Sequence, residues 1–331
     1  MKRVSILVPQ TAIIEAVADP HYMFNAVNQF LKISGKEPLF EINLVALEKE
    51  VKLNGSLFTV HINQLLKDVM STDLIIIPAI SGDISSAIEL NKELLPWIVK
   101  QHEQGAEVAS LCVGAFILAS TGLLKGKKCS THWNSANEFR TMFPDVKLVD
   151  GSIITEENRI YSSGGANSYW QLLLHLVEKY TNRETAILAS KYFAIDIDRE
   201  SQNAFAMFKG QKNHKDEEIK KVQQYIEQNI EDKLNVEDLA NGAALGRRSL
   251  ERRFKLATNN SVLEYIQRVK IEAAKQSFEN SRKNISEVMF DVGYTDTKTF
   301  RSLFKKITGL TPIEYRNKYN KLEIAVTEMV N

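Results

Sequence analysis

"SLERRFKLATNNSVLEY" (residues 249–265) lies over "TFRSLFKKITGLTPIEY" (residues 299–315) at an offset of 50 positions. Phe254 falls on Phe304, Lys255 on Lys305, Thr258 on Thr308, Glu264 on Glu314 and Tyr265 on Tyr315. Leu250 and Ala257 fall on Phe300 and Ile307, so apolar character is kept where identity is not. Within each copy the apolar residues recur at i, i+4 and i+7, which is one buried stripe on a helix. Opposite that stripe the first copy carries Arg247, Arg248, Glu251 and Arg252, and the second carries Thr297, Lys298, Arg301 and Ser302.

A shorter helical segment and a tight turn precede each stripe, in "NVEDLANGAALGRRSL" and "NISEVMFDVGYTDTKTF". Gly293 sits where the second turn must be sharp, and Thr295 or Asp296 can cap the helix that follows. Gly246 occupies the corresponding place in the first copy, as a weaker cap. Two helices joined by a short glycine-containing turn, the second carrying outward polar and cationic side chains, form a helix-turn-helix. Arg and Lys hydrogen-bond to guanine edges and Ser or Thr is a tolerant partner; Lys255, Lys305 and Lys306 lie further along and suit phosphates. The bland alternative is a helical bundle with basic surface helices, and the repetition of one basic face in both copies speaks against it.

Charge is distributed unevenly. The chain of 331 residues has a formal net charge of +1. Residues 246–320, however, carry 16 Lys+Arg against 8 Asp+Glu, a net of +8, while residues 1–214 carry 21 against 23, a net of −2. A basic, polyanion-binding part is thus joined to a neutral part. Two cysteines, Cys112 and Cys129, argue against a disulfide scaffold and for a reducing cytoplasm. Uncharged apolar runs are too short for a membrane span, and "MKRVSILVPQ" reads as a first buried strand rather than a signal peptide. Cys and His never fall at zinc-ligand spacing, so neither metal nor cofactor is expected.

The first half alternates short Ile/Val/Leu-rich runs (4–9, 40–46, 74–78, 107–111) with amphipathic stretches such as 22–33 and 94–104. Further strands are expected at 128–131, 146–149, 153–155 and 160–162, and a helix follows "GG" at 164–165 with Leu172, Leu173, Leu176 and Val177 on one face. This pattern predicts a flavodoxin-like α/β domain, a parallel sheet with helices on both faces. The expected organisation is an α/β sensor domain over 1–182, connecting helices and a linker over 183–217, and an all-α domain over 218–320.

The stretch 218–318 resembles the DNA-binding domain of AraC/XylS-type transcription regulators, most specifically through "FRSLFKKITGLTPIEYRNKY". The resemblance implies seven helices, with two helix-turn-helix units held apart by a long central helix in "SVLEYIQRVKIEAAKQSFE". It places the base-reading positions on Arg248, Glu251 and Arg252 in the first unit and on Thr297, Lys298 and Ser302 in the second. Met289 stands where that family prefers a small residue. The implied partners are double-stranded DNA, an unidentified small effector, RNA polymerase and a second copy of the chain, with no membrane.

With that resemblance in place, "SLCVGAFILASTGLLKGKKCSTHWN" is similar to the nucleophile elbow of the glutamine-amidotransferase-like, PfpI-type superfamily, in its GlxA-like regulator branch. The likeness spans about residues 1–180 and pairs Cys112 with His132. A thiol at a helix N-terminus is expected to favour thiolate, and His132 can serve as base or cationic partner. Glu15 is the candidate third acid. Gly164 and Gly165, after Ser163, offer backbone N–H groups to an anionic ligand group. Four readings stay open for Cys112: lining an effector pocket, sensing oxidants or electrophiles through a low-pKa exposed thiol, hydrolysing or hydrating a substrate, or simply being buried. Cys129 reads as a small core residue. The competing function is a cysteine-dependent hydrolase or glyoxal-hydrating enzyme with an attached nucleic-acid module.

Overall fold

The computed structural model describes residues 1–197 and 201–320, and the chain divides into two units, Met1–Gln202 and Asn203–Asn331. In the first unit strands and helices alternate: β1 (Lys2–Leu7), α1 (Ile14–Ile33), β2 (Phe40–Ala46), β3 (Glu50–Leu53), β4 (Phe58–His61), β5 (Gln64–Leu65), β6 (Leu74–Ile77), α2 (Ile84–Leu90), α3 (Leu94–Glu103) and β7 (Glu107–Ser110). There follow α4 (Ala115–Ser120), β8 (Lys128–Cys129), α5 (Ala136–Met142), β9 (Lys147–Leu148), β10 (Ile154–Glu157), β11 (Ile160–Ser163), α6 (Tyr169–Tyr180) and α7 (Arg183–Tyr192).

Seven strands form one sheet in the order β10-β11-β7-β6-β1-β2-β5. Its pairs are parallel except β10–β11. Successive strand side chains point to opposite faces, so Leu74 and Ile76 join one core while Ile75 and Ile77 join the other. Helices α1, α6 and α7 cover the first face and α2, α3 and α4 the second. Leu172, Leu173, Leu176 and Val177 are fully buried along α6, as the pattern predicts. The strands expected at 128–131 and 146–149 exist in shortened form but pair with each other in a separate sheet. A hairpin of β3 and β4 was not anticipated; Asn54-Gly55 at its tip, both with positive φ, is the turn chemistry that announces it. Residues 183–192, expected in the connector, form α7 and bury Ala186 and Ala189 in the core beneath α1 and α6.

Among its described residues the second unit is helical: α8 (Glu217–Gln228), α9 (Val236–Gly242), α10 (Arg247–Thr258), α11 (Val262–Asn280), α12 (Ile285–Asp291), α13 (Thr297–Thr308) and α14 (Pro312–Tyr319). The repeat is visible in atomic detail. Both short helices have 7 residues and both following helices have 12. Phe254 meets Tyr265 edge-on at 5.2 Å and 81°, and Phe304 meets Tyr315 at 5.4 Å and 81°. The Thr258 and Thr308 hydroxyls each donate to the carbonyl four residues back at 2.8 Å. Capping boxes at Ser261–Glu264 and Thr311–Glu314 open the next helices. Each copy has its own core, and α11 serves both, with Val262, Tyr265 and Ile266 in one and Ile271, Ala274 and Phe278 in the other. Met289 is buried in the second core.

The turns agree with the sequence at the caps. Asp296, with its side chain accepting from Thr299 N–H at 2.7 Å, caps α13, and Gly246 is its counterpart as N-cap of α10. The left-handed residue of each turn lies ahead of the cap, at Gly293 (φ 72°) in the second and Ala244 (φ 52°) in the first. The second turn simply has one residue more, Thr295, before its cap, and this moves the alignment by one position ahead of α13.

Candidate functional site

At the elbow of the first unit, β7 ends and Cys112 takes φ 54°, the strained backbone that lifts a side chain out of a strand-to-helix turn. Its N–H donates to Ser163 Oγ at 3.3 Å and its carbonyl accepts from Thr131 Oγ1 at 3.2 Å. The shape of a nucleophile elbow is present. Cys112 is 4% exposed, and burial pushes the thiol up to about 12. The expectation of a thiolate at a helix N-terminus is corrected here, because desolvation of the charged form outweighs the favourable turn.

His132 follows β8, but its Nδ1 accepts from Asn134 N–H at 3.1 Å, and among the described residues no hydrogen bond joins it to Cys112. Burial holds the imidazole below its ordinary value, and the accepting Nδ1 assigns the proton to Nε2. Glu15 is exposed in the first turn of α1. One turn on, the Asp19 carboxylate accepts from the Tyr169 hydroxyl at 2.6 Å. Burial, then the nearby Glu15 charge, lifts the Asp19 carboxyl against the lowering hydrogen bonds from Tyr169 and Trp170. Tyr169 in turn lies within electrostatic reach of Cys112. Sequence reasoning missed this Asp19–Tyr169 pair. The signal available was the i, i+4 spacing of Glu15 and Asp19, which puts two acids on one face of α1.

Of the two glycines, Gly164 uses its N–H on the Ile153 carbonyl at 2.8 Å, so it has no donor to give an anion. The space in front of it is taken by the Gln202 side chain. Elsewhere in this unit a cavity of about 730 Å³ opens beyond β1 and β2, lined by Val8, Gln10, Leu47, Glu48, Lys49 and Asn91 among others. Neither Cys112 nor His132 lines it.

In the second unit the outer faces of α10 and α13 carry the sequence-selected residues together. Arg247, Arg248, Arg252 and Lys255 are exposed on α10, with Glu251 half-buried. On α13, Thr297, Lys298, Arg301, Ser302, Lys305 and Lys306 are exposed. Arg247 is engaged by Glu251 at 3.1 Å and by Glu237 at 3.9 Å. Arg253, next to Arg252 in sequence, is half-buried and holds Asp216 through two hydrogen bonds of 2.8 and 2.6 Å; it ties α10 to the start of α8.

Sequence reasoning also missed Lys270, which is 5% exposed on α11. Its ammonium donates to the Asp232 carbonyl at 2.8 Å and to the Val292 carbonyl at 3.0 Å, the latter at the C-cap of α12. A Cβ on Gly293 would come within 2.4 Å of the Glu231 carbonyl and 2.6 Å of this ammonium. Burial lowers the Lys270 pKa. The second turn is glycine both for its positive φ and for the close approach of a buried cation.

Residues 239–318 match the helix-turn-helix domain family and residues 26–179 the DJ-1/PfpI family. The HTH-type transcriptional regulator GbdR of Pseudomonas aeruginosa is 25% identical over 72% of this chain and 65% of its own length. The HTH-type transcriptional regulator GlxA of Rhizobium meliloti is 22% identical over 65% of this chain and 66% of its own. The chain thus spans just under two thirds of these relatives. Among solved structures, a THiJ/PfpI family protein from Pseudomonas syringae superposes with a TM-score of 0.50 at 18% identity, over 60% of this chain and 76% of that one. That likeness concerns the fold.

Proposed function

We propose that this chain, a DJ-1/PfpI-family domain joined to an AraC-type helix-turn-helix domain, is a sequence-specific DNA-binding transcription regulator whose first unit takes a small effector. The observation that carries the reading is the atomically repeated pair α9–α10 and α12–α13, each copy exposing cations on one helix face. Arg248, Glu251 and Arg252 read bases in the first half and Thr297, Lys298 and Ser302 in the second, Arg301 lies on the same DNA-facing side, and Lys255, Lys305 and Lys306 meet phosphates. Arg247 exchanges its acidic partners for DNA.

Several points support the accompanying roles. The effector is taken near Cys112 and His132, and the absence, among the described residues, of a hydrogen bond between them favours binding over turnover. Tyr22 and Tyr192 are exposed and share a 3.0 Å hydrogen bond between α1 and α7, an aromatic face suited to a second copy of the chain. The working compartment is the cytoplasm, where DNA and RNA polymerase are met; among the described residues no helix is long and apolar enough to cross a membrane. Selection of the full chain against random-sequence duplexes tests the reading. It should enrich a site with two elements about one helical turn, roughly 34 Å, apart. Recovery of unselected sequence would count against it.

A further inference from the structure

Gln202 is the last residue of the first unit, and its side chain is 2% exposed. Three backbone groups converge on its carboxamide. Nε2 donates to the Thr131 carbonyl at 3.0 Å and to the Ser152 carbonyl at 3.2 Å, while Oε1 accepts from Trp133 N–H at 3.2 Å. The backbone docks as well: Gln202 N–H donates to the Gly151 carbonyl at 2.9 Å, and Ser201 bridges Ser152 as a single antiparallel pair. Gly164 makes the room, since a Cβ there would lie 2.1 Å from Nε2 and 2.8 Å from both accepting carbonyls. One wall of this recess is tied to the elbow, because Thr131, whose carbonyl holds Nε2, also donates its hydroxyl to the Cys112 carbonyl.

Two acceptors and one donor at this spacing match a primary carboxamide. A guanidinium has no acceptor for Trp133 N–H, and a carboxylate has no donor for the two carbonyls. Were Gln202 to leave unreplaced, one buried and two part-buried polar groups would lose these hydrogen bonds, which is costly. We propose that this recess is a primary-carboxamide binding site, filled in cis by Gln202, and that a carboxamide ligand displaces Gln202 and releases the chain that leads into the second unit. The site lies in the effector region assigned above and rests on that reading for its regulatory meaning, but the displacement itself does not depend on DNA.

Acetamide is the probe, with N,N-dimethylacetamide, which lacks N–H donors, as its control. A ligand of four heavy atoms binds no tighter than tens of micromolar even at a ceiling of about 1.5 kcal/mol per atom, so about 100 mM is used. Hydrogen exchange is read on the full chain at the amides of Trp133 and Gln202. In Gln202→Ala, Trp133 should exchange faster by about tenfold or more, and acetamide should restore slow exchange while the dimethyl compound does not. In the unaltered protein acetamide should speed exchange at Gln202 and leave Trp133 slow, a measurement that stands if Gln202→Ala fails to fold. Equal effects of both amides, or no effect of acetamide on either protein, would overturn the proposal. DNA affinity measured on the same samples separates this outcome from failure of the regulator reading.

Discussion

Cys112 shows how a sequence motif and its chemistry can part company. The elbow backbone and the spacing to His132 are both there, yet the thiol sits in an apolar enclosure in which charge is disfavoured. A rise from the ordinary thiol value of 9.0 to about 12 lowers the thiolate fraction at neutral pH by about a thousandfold, and thiolate is the reacting species. Iodoacetamide at pH 7.5 should therefore modify Cys112 in the folded protein at least about a thousandfold more slowly than in urea, as followed by mass spectrometry. Modification at comparable rates in both states would restore the sensing and catalytic readings. The same desolvation argument was out of reach from the sequence, because Cys112 is enclosed by chain far from it in order, including Ser163 and Thr131. Gln202 was hidden for a related reason. A polar residue in a polar stretch has no periodicity, and its partners lie 50 to 71 positions away.

At the scale of elements, the two turns give contrasting tests. Ala244 holds φ 52° in the first turn, where Gly293 holds 72° in the second. A left-handed backbone costs an L-residue roughly 1 kcal/mol that glycine does not incur. Ala244→Gly should thus stabilise the second unit by up to about 1 kcal/mol in urea denaturation, offset in part by the freer unfolded chain. A loss of stability would mean that the turn has other requirements. Lys270→Met should do the reverse, costing about 1–3 kcal/mol by leaving the Asp232 and Val292 carbonyls without their donor. A neutral result would show that water takes the place of the ammonium. The helices themselves were readable because their stripes repeat at 3.6 residues and their caps are local. The β3–β4 hairpin passed unnoticed although Asn54-Gly55 marks it, since its strands are only 4 residues long and half exposed. Ala244 was unreadable for a different reason: nothing in an alanine declares a positive φ, and only the superposition of the two turns reveals it.

For the whole molecule, the uneven charge along the chain and the internal repeat lead to the same conclusion. Cations gather on α10 and α13, while Arg253, Lys270 and Lys275 turn inward to hold Asp216, two carbonyls and Glu272. Composition alone could not separate these structural cations from the outward ones; the buried stripe did, by fixing which face remained. Specificity and affinity should divide accordingly. Arg252→Ala should cost about 1–3 kcal/mol at a selected site and relax the sequence preference there. Equal loss on all sequences would move Arg252 to the phosphate class.

The most direct measurement is the affinity of the full chain for duplex DNA as a function of salt, followed by fluorescence anisotropy. The three lysines proposed to meet phosphates, at about 0.9 counterions each, predict a log–log slope of roughly −3 or steeper, and Lys305→Ala should flatten it by about 1. An affinity that does not change with salt, or the absence of any duplex binding at low salt by well-folded protein, would contradict the account.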